Sequence, residues 1–313
     1  MKVFIIGATG FIGFPVAQAL VRAGHIVLGL ARTEEKSRLL AAEEIIPVSG
    51  DASDPSKWTS LLGDIDVVIE AIGGTPDLKT LSLNIFNAVV EAAQTYRPAN
   101  APKLTYIYTS GIWVHGENRK RTVTDTTPIT NPVPLVSWRP SFENDIITNP
   151  IVNGIVIRPA LLYGRSASIL AALFQTAHAG KVCWVGAPGG RYALIHADDL
   201  AELYVLVTEK AQLVGGKIFD AANDFTESVD DILGKLVEVS GAQGPYEYRE
   251  PSNHYIPWLR SEVGSEAFEA AITTTCYVRP YLAKALLNWQ PRKAGLVDNL
   301  EVYYNAWKAS EGL

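Results

Sequence analysis

The chain has little cysteine and little histidine, and the copies that occur are scattered. Its two cysteines, Cys183 and Cys276, lie far apart, and neither has a histidine or cysteine nearby at metal-ligand spacing. This excludes a disulfide framework and a zinc site, and two buried free thiols are the simpler interpretation. We expect no metal cofactor.

Long apolar runs and a positive charge balance are also missing. The first apolar run, residues 1–6, ends at a glycine and is too short for a signal peptide or a membrane span. The formal net charge is −6, so the surface repels phosphate backbones and anionic lipid headgroups. We therefore expect a cytoplasmic monomer or homodimer whose partner is a small-molecule substrate, and not nucleic acid or a membrane.

The 313 residues suit one large α/β unit with an appended lobe. Short β-branched runs alternate with helical patterns, which is typical of βαβ units and a parallel sheet. The predicted strands are 3–6, 26–30, 45–48, 67–71, 104–108 and 155–157, and the predicted helices between them are 11–23, 34–42, 56–62 and 81–94. We predict a doubly wound parallel sheet in residues 1–160, to which later segments return, and a smaller substrate-binding lobe in 161–313. Residues 111–134 read as a long loop or flap.

A glycine-rich turn joins the first predicted strand to the first predicted helix. Gly7, Gly10 and Gly13 follow the strand directly and open the helix, which is the context that a dinucleotide fingerprint needs. Glycine permits the tight turn, the approach of a pyrophosphate and close packing of the helix, whose amide groups face the phosphates. The predicted cofactor contacts here are Gly7, Thr9, Gly10, Phe11, Ile12 and Gly13. The pattern predicts a Rossmann-type domain.

The ends of the next strands bear on the choice of cofactor. Arg32 follows the second strand, where NAD-specific proteins usually place an acid that binds the ribose hydroxyls. A guanidinium suits a 2′-phosphate instead, and Lys36 lies one helical turn further on. Asp51, after the third strand, is predicted to bind the adenine amino group. The small residues after the fourth strand let the cofactor lie close to the backbone; they are Ala71, Ile72 and Gly73. We predict NADP(H).

Four motifs in this order resemble the short-chain dehydrogenase/reductase superfamily, in its extended or atypical branch of the nucleotide-sugar epimerase type. They are Gly-Ala-Thr-Gly-Phe-Ile-Gly at 7–13, Gly-Asp at 50–51, Arg-Pro-Ala-Leu-Leu-Tyr-Gly at 158–164 and His-Ala-Asp-Asp-Leu-Ala at 196–201. The resemblance covers residues 1–205, and the last third of the chain matches loosely.

The resemblance fails at the residues that usually carry the chemistry. Members that transfer hydride usually have a Ser or Thr after the fifth strand and a Tyr-x-x-x-Lys pair on the next helix. This chain places Gly111 at the hydroxyl position, with Ser110 beside it, Trp138 at the tyrosine position and Phe142 at the lysine position. A positioned general acid is worth about 10²- to 10⁴-fold in rate. Another group must supply the proton, or the substrate needs little acid help, or the cofactor is bound without turnover.

Side chains near the ends of the strands are candidates to replace the missing acid. We predict Ser110, His115 and Tyr163 as catalytic residues. Ser110 can orient a carbonyl, and His115 is either a donor or a packed histidine. Tyr163 has a phenol, but in this motif the tyrosine is generally structural. Glu143 is expected to cap its helix or form a salt bridge on it, and residues 198–199 to cap a helix.

Aromatic residues on segments near the expected crevice favour an apolar or aromatic substrate over a sugar nucleotide. The predicted substrate contacts are Trp113, Trp138, Trp184 and Tyr192, with Tyr255 and Trp258 as further candidates. The first hypothesis is an atypical NADP(H)-dependent oxidoreductase that acts on a small, largely apolar or aromatic carbonyl or enone compound. The alternatives are a catalytically depleted NADP(H)-binding sensor or regulator, and a non-redox isomerase or cyclase on the same fold.

Overall fold

The computed structural model describes residues 1–75, 77–252 and 265–313. In chain order the strands are β1 (Lys2–Ile6), β2 (Ile26–Ala31), β3 (Ile46–Ser49), β4 (Val67–Glu70), β5 (Thr105–Thr109), β6 (Asn118–Val123), β7 (Asn153–Pro159), β8 (Leu161–Tyr163), β9 (Cys183–Val185), β10 (Arg191–His196), β11 (Ile218–Ala221), β12 (Thr226–Ser228), β13 (Glu247–Arg249) and β14 (Cys276–Val278). The helices are α1 (Gly13–Arg22), α2 (Glu34–Ala42), α3 (Leu78–Tyr96), α4 (Arg139–Ile147), α5 (Ala171–His178), α6 (Ala197–Glu209), α7 (Val229–Ser240), α8 (Ser265–Ile272), α9 (Leu282–Leu287) and α10 (Leu300–Glu311). Within these residues no helix combines the length and the apolar composition that a membrane crossing requires.

The central sheet has seven strands in the order β11-β7-β5-β4-β1-β2-β3. Every neighbouring pair is parallel, and Val3 on β1 lies opposite Val27 on β2 and Val67 on β4. The chain order reverses at β1, so a crevice forms outside the carboxyl ends of β1 and β4. All six predicted strands belong to this sheet, which confirms the doubly wound α/β fold. The seventh strand, β11, returns to it from the later part of the chain.

The side chains of β1 are buried on both faces of the sheet, which explains why its sequence is a continuous apolar run. Val3 and Ile5 pack in one buried cluster with residues of α1 and α6, whereas Phe4 and Ile6 pack in another with Trp58 and α3. Successive side chains of a strand point to opposite faces, and helices cover both faces here. A third cluster, with Phe174 and Trp307, lies among α5, α7 and α10.

Two local predictions were wrong. Residues 56–62 form two 3₁₀ turns, Pro55–Lys57 and Thr59–Asp64, instead of an α-helix. Trp58 between them is fully buried, has φ −134° and donates its indole N–H to the Asp51 carbonyl at 3.2 Å, which holds the chain outside helical values.

The predicted flap also contains regular structure. It includes a 3₁₀ turn, Ile112–His115, and β6, which pairs in parallel with β14 through Asn118 opposite Cys276. Most of β6 is exposed, so its sequence lacks the apolar alternation by which a strand is recognised.

Glu70, the last residue of β4, is a buried carboxyl group next to the crevice. It is 1% exposed and accepts hydrogen bonds from the hydroxyl groups of Ser82, at 2.5 Å, and Tyr106. Burial raises the pKa of Glu70 to about 7 from an ordinary value of 4.5. The folded protein therefore binds more protons than the unfolded chain between these two pH values.

Replacing Glu70 with Gln should remove part of the pH dependence of stability. In the wild type, this group makes the free energy of unfolding fall by about 3 kcal/mol as the pH rises from roughly 4.5 to 7. The amide does not titrate, so this loss should be absent from Glu70→Gln. Urea denaturation at both ends of the range measures the difference, and the exposed Glu301→Gln is the control. An unchanged pH dependence in Glu70→Gln would contradict this assignment.

Candidate functional site

The glycine-rich turn leaves no room for side chains at two of its positions. Gly7 has φ 93°, and a Cβ there would lie 2.4 Å from the carbonyl oxygen of Ala71 on the neighbouring strand end. A Cβ on Gly13 would lie 2.2 Å from the carbonyl oxygen of Gly7. The turn therefore brings α1 against β1 and places the backbone after β4 directly beside it.

The start of α1 offers backbone donors to a ligand. Gly10 N–H bonds to the Gly7 carbonyl at 2.9 Å, and Phe14 N–H to the Gly10 carbonyl at 3.0 Å. Within the described residues no such bond is made by the N–H groups of Phe11 and Ile12, and the cap residue Ile12 has no capping side chain. Free amides at a helix start suit a phosphate. The turn fits the pyrophosphate of a dinucleotide.

Charged side chains lie at the ends of β2 and β3. Arg32 Nε is 3.9 Å from Asp51 Oδ2, and the two side chains are 61% and 45% exposed. Lys36 is half-buried in the first turn of α2. Asp51 accepts hydrogen bonds from the hydroxyl and the N–H of Ser53 at 2.6 and 2.8 Å, and these bonds hold its pKa below the ordinary value. An ionised carboxylate and two cations thus lie at or just after the carboxyl ends of β2 and β3.

The segment after β4 continues the floor of the crevice. Ala71 is buried, and its N–H bonds to the Ile6 carbonyl at 2.8 Å. Ile72 is half-buried and Gly73 is exposed, with open space around the position of its absent Cβ. The predicted contacts at Thr9, Ile72 and Gly73 therefore lie on the same edge of the sheet as the glycine-rich turn.

Ser110, directly after β5, is held by a buried ion pair. Its hydroxyl donates to Glu143 Oε1, and Arg158 contacts the same carboxylate through Nε, at 3.1 and 3.2 Å, and Nη2, at 2.5 Å. The side chains of Arg158 and Glu143 are 4% and 1% exposed. The salt bridge expected for Glu143 is present, but its partner is on β7 rather than on its own helix. The hydroxyl proton of Ser110 is thus committed to Glu143, while its oxygen can still accept.

The ion pair continues to His115 through Asp220. Arg158 Nη1 lies 3.6 Å from Asp220 Oδ1, and His115 Nε2 lies 2.8 Å from Asp220 Oδ2. Burial opposes the charge on Arg158, but the carboxylates of Glu143 and Asp220 outweigh it and raise the pKa of the guanidinium. The His115 side chain is 1% exposed. This burial and the contact with Asp220 are the geometry of the packed histidine, one of the two predicted alternatives.

Tyr163 and the acidic pair at 198–199 have structural contacts. The Tyr163 hydroxyl donates to the Ala294 carbonyl at 2.9 Å and accepts from Asn223 at 3.2 Å, and the residue is fully buried. Asp198 pairs with Arg165 at 2.7 Å. The cap of α6 is His196, whose ring nitrogen accepts from the Asp198 N–H. The geometry gives Tyr163 a packing role.

The predicted substrate aromatics are not all in one place. Trp138 lies beside Arg139, with the guanidinium carbon 5.0 Å from its ring centroid. Trp113 packs edge-on against Phe268 of α8 at 5.7 Å. Trp184 is buried and donates to the Tyr192 hydroxyl at 2.8 Å. Tyr255 and Trp258 lie outside the described residues.

Two of the cavities among the described residues are lined mainly by the later part of the chain. The first, of about 360 Å³, is lined by Tyr192 and Tyr248 together with Glu117 and Arg119 of the segment predicted as a flap. The second, of about 300 Å³, is lined by Arg191, Phe225 and Arg279 among others. Of the predicted substrate contacts, Tyr192 lines the first cavity, and Trp184 contacts the Tyr192 hydroxyl.

Sequence reasoning did not identify Arg158, Asp220 or Arg139 as site residues. A charged residue within an apolar strand is rarely buried without a partner, so such a residue can be recognised in the sequence. Arg158 is the clearest case, because it follows the apolar residues 155–157 and begins the motif at 158–164. Its partner is not visible in the sequence, because Glu143 lies on a different element.

The amino-terminal part matches a protein family described as NAD(P)H-binding, over residues 7–124. The match runs from the glycine-rich turn through β5 and β6. This part of the chain is therefore an NAD(P)-binding Rossmann domain, as the sequence predicted.

Similar proteins extend over nearly the whole chain. The uncharacterized protein YLL056C of Saccharomyces cerevisiae is 25% identical over 97% of this chain and 99% of its own length. The 4-hydroxy-2-methyl-3-oxo-4-farnesyl-3,4-dihydroquinoline-1-oxide ketoreductase of Stigmatella aurantiaca is 22% identical over 87% of this chain and 78% of its own. UDP-glucuronic acid 4-epimerase from Bacillus cereus, in complex with UDP-glucuronic acid and NAD, superposes with a TM-score of 0.74 at 17% identity, over 99% of this chain and 100% of that one. The structural likeness confirms the fold.

Proposed function

We propose that this NAD(P)-binding Rossmann protein is an atypical NADP(H)-dependent oxidoreductase that acts on a small, largely apolar or aromatic carbonyl or enone compound. The observation that carries the proposal is the Ser110 hydroxyl, held at the carboxyl end of β5 by the buried Glu143 and Arg158 pair. Ligands of a doubly wound fold bind in the crevice at this edge of the sheet, and a hydroxyl fixed there supports a role for Ser110 in contacting a substrate oxygen.

The choice of NADP(H) rests on the end of β2. Arg32 is exposed and lies where the adenosine ribose of a dinucleotide binds in this fold. Lys36 lies in the first turn of the following helix and forms no ion pair with the described residues. Arg32, whose contact with Asp51 is as long as 3.9 Å, and Lys36 are two cations near this strand end, and they support NADP(H) over NAD(H).

The chain contributes hydrogen bonding and positioning to the reaction. When bound, the reduced cofactor would supply hydride to a carbonyl or conjugated carbon, and solvent water would supply the proton that completes the reduction. Ser110 donates its proton to Glu143, so its oxygen accepts readily from a substrate hydroxyl, and it donates to a carbonyl after its O–H turns away from Glu143. Arg158 keeps Glu143 in place through three contacts.

The substrate class is inferred from the walls of the site and from the named relatives. The resemblance puts Trp138 at the usual tyrosine position, and Trp113 follows Ser110 by three residues. Aromatic side chains on these segments favour a flat, apolar substrate. The Stigmatella relative is named a ketoreductase, and the Ginkgo biloba phenylcoumaran benzylic ether reductase IRL1 is 35% identical over 31% of this chain. These names support a reductase with an aromatic or apolar substrate.

A catalytically depleted NADP(H)-binding sensor is the second candidate. It is favoured by Trp138 and Phe142, which stand at the usual tyrosine and lysine positions, and by Ser110, whose proton is already engaged. A non-redox isomerase or cyclase would use the same crevice. Both alternatives predict tight cofactor binding without net oxidation of NADPH.

Arg32→Ala should change the preference for the cofactor. Loss of a charge-assisted contact to the 2′-phosphate is worth about 1.5–3 kcal/mol, so the Kd for NADPH should rise about 10- to 100-fold. The Kd for NADH should stay the same, because it has no such phosphate. Titration of nicotinamide fluorescence measures both constants. Arg38→Ala, which removes an exposed arginine of α2, is the control. Equal losses for both cofactors would contradict the proposed role of Arg32.

Ser110→Ala should lower kcat by about 10²-fold, the scale on which one hydrogen bond to a developing oxyanion acts. The Kd for NADPH should be unchanged, because the nucleotide end of the crevice is untouched. Absorbance at the nicotinamide band gives the rate.

Glu143→Asp separates positioning from contact. The shorter carboxylate keeps its charge near Arg158 but withdraws from Ser110, so kcat should fall while KM changes by no more than about twofold. Ser141→Ala removes an exposed hydroxyl from α4 and should behave as wild type.

A wild-type kcat in the Ser110→Ala variant would contradict the proposed role of the Ser110 hydroxyl.

A further inference from the structure

Arg139 places a positive charge at the reacting end of the crevice. It is the first residue of α4, and its Nη1 donates to the hydroxyl of Tyr108 at 2.8 Å and to the carbonyl of Thr109 at 3.0 Å. Thr109 is the last residue of β5 and directly precedes Ser110. The guanidinium therefore lies at the carboxyl end of β5, where it binds the carbonyl of the residue that precedes Ser110.

This charge has no carboxylate partner among the described residues. Glu143 lies one helical turn beyond Arg139 but pairs with Arg158. Glu70, whose pKa Arg139 lowers from a distance, is bound by the hydroxyls of Ser82 and Tyr106. Arg139 is 8% exposed, and a charge that is nearly buried and unpaired is costly unless something neutralises it.

Two donor groups of Arg139 are unused within the described residues. Both of its hydrogen bonds come from Nη1, whereas Nε and Nη2 form none there. These two nitrogens form the edge with which a guanidinium binds a carboxylate through two parallel hydrogen bonds.

Aromatic rings hold the guanidinium in one orientation. Its carbon lies 5.0 Å from the centroid of Trp138 and 5.6 Å from that of Tyr108. Stacking and the bond to the Thr109 carbonyl leave little freedom to the side chain, so its donor edge is preorganised.

We infer that Arg139 binds an anionic oxygen of the substrate, so that the substrate is an aromatic or apolar carbonyl compound that carries a carboxylate. This inference rests on the proposed function, since it assigns the substrate class to the same crevice. A phosphate of the cofactor has the same chemistry, but the amides that suit it are those of the glycine-rich turn after β1. Arg139 lies two strands away, at the end of β5.

Binding of benzoate tests the inference without turnover. Titration calorimetry of benzoate into the protein saturated with NADP⁺ should show binding in the wild type and a Kd raised about 10- to 100-fold in Arg139→Gln. Arg139→Lys keeps the charge but not the paired donors, and it should fall between the two. Arg279→Gln removes an exposed arginine at the second cavity and should bind benzoate as the wild type does.

The outcomes separate the source of the anion. Absence of benzoate binding in the wild type, or equal binding in Arg139→Gln, would overturn the inference. A raised Kd for NADP⁺ in Arg139→Gln with benzoate binding intact would assign Arg139 to the cofactor and would also overturn it. Loss of benzoate binding in Arg279→Gln alone would move the anion site to the second cavity.

A matched pair of ketones extends the test to the reaction. The wild type should reduce 4-acetylbenzoate with a kcat/KM about 10- to 100-fold above that of acetophenone, and Arg139→Gln should lose this preference. Failure to oxidise NADPH with either ketone, while benzoate still binds through Arg139, would reject the oxidoreductase and leave the carboxylate site standing. Equal rates for both ketones in the wild type would reject the carboxylate. If Arg139→Gln does not fold, Arg139→Lys and the ketone pair decide the matter.

Discussion

The ion pair between Arg158 and Glu143 fixes the reacting end of the crevice. Both side chains are almost fully buried, and removal of one partner of such a pair typically costs about 3–5 kcal/mol because the other charge is left uncompensated. Arg158 is on β7, Glu143 on α4, and Asp220, the next charge, on β11. Together with Asp220, the pair therefore connects three elements. It holds the Ser110 hydroxyl on one side and, through Asp220, the His115 ring on the other.

Different interactions determine the structure at the two ends of the crevice. At the glycine-rich turn, close backbone packing determines the residue type, because a Cβ on Gly7 or Gly13 would collide with a neighbouring carbonyl oxygen. At the proposed reacting end, buried charges hold the side chains in place, and the resemblance puts Trp138 and Phe142 at the usual tyrosine and lysine positions. Among the described residues Arg139 has no carboxylate partner there. The fold itself agrees with that of UDP-glucuronic acid 4-epimerase.

Features that depend on residues close together in the chain could be predicted from the sequence. The strands of the sheet and the glycine-rich turn follow from apolar runs and from glycines at fixed spacing, and both were predicted. Contacts between segments that are distant in the chain were not predicted. These are the pairing of β6 with β14 and the ion pair of Arg158 with Glu143, because no local pattern indicates which segment is the partner. The sequence does not decide the role of His115, because a histidine at this position can be a donor or a packed residue. In the structure its Nε2 lies 2.8 Å from Asp220 Oδ2. The exposed strand β6 lacked the apolar alternation that would have revealed it.

The proposed oxidoreductase activity is tested most directly by NADPH oxidation followed at the nicotinamide absorbance band, with a panel of aryl ketones, enones and aldehydes. We expect that at least one compound makes the absorbance fall in proportion to enzyme concentration, and that NADPH is preferred over NADH. Tight binding of NADPH without oxidation by any compound would contradict the central claim. The crevice would then belong to a sensor or to a non-redox enzyme.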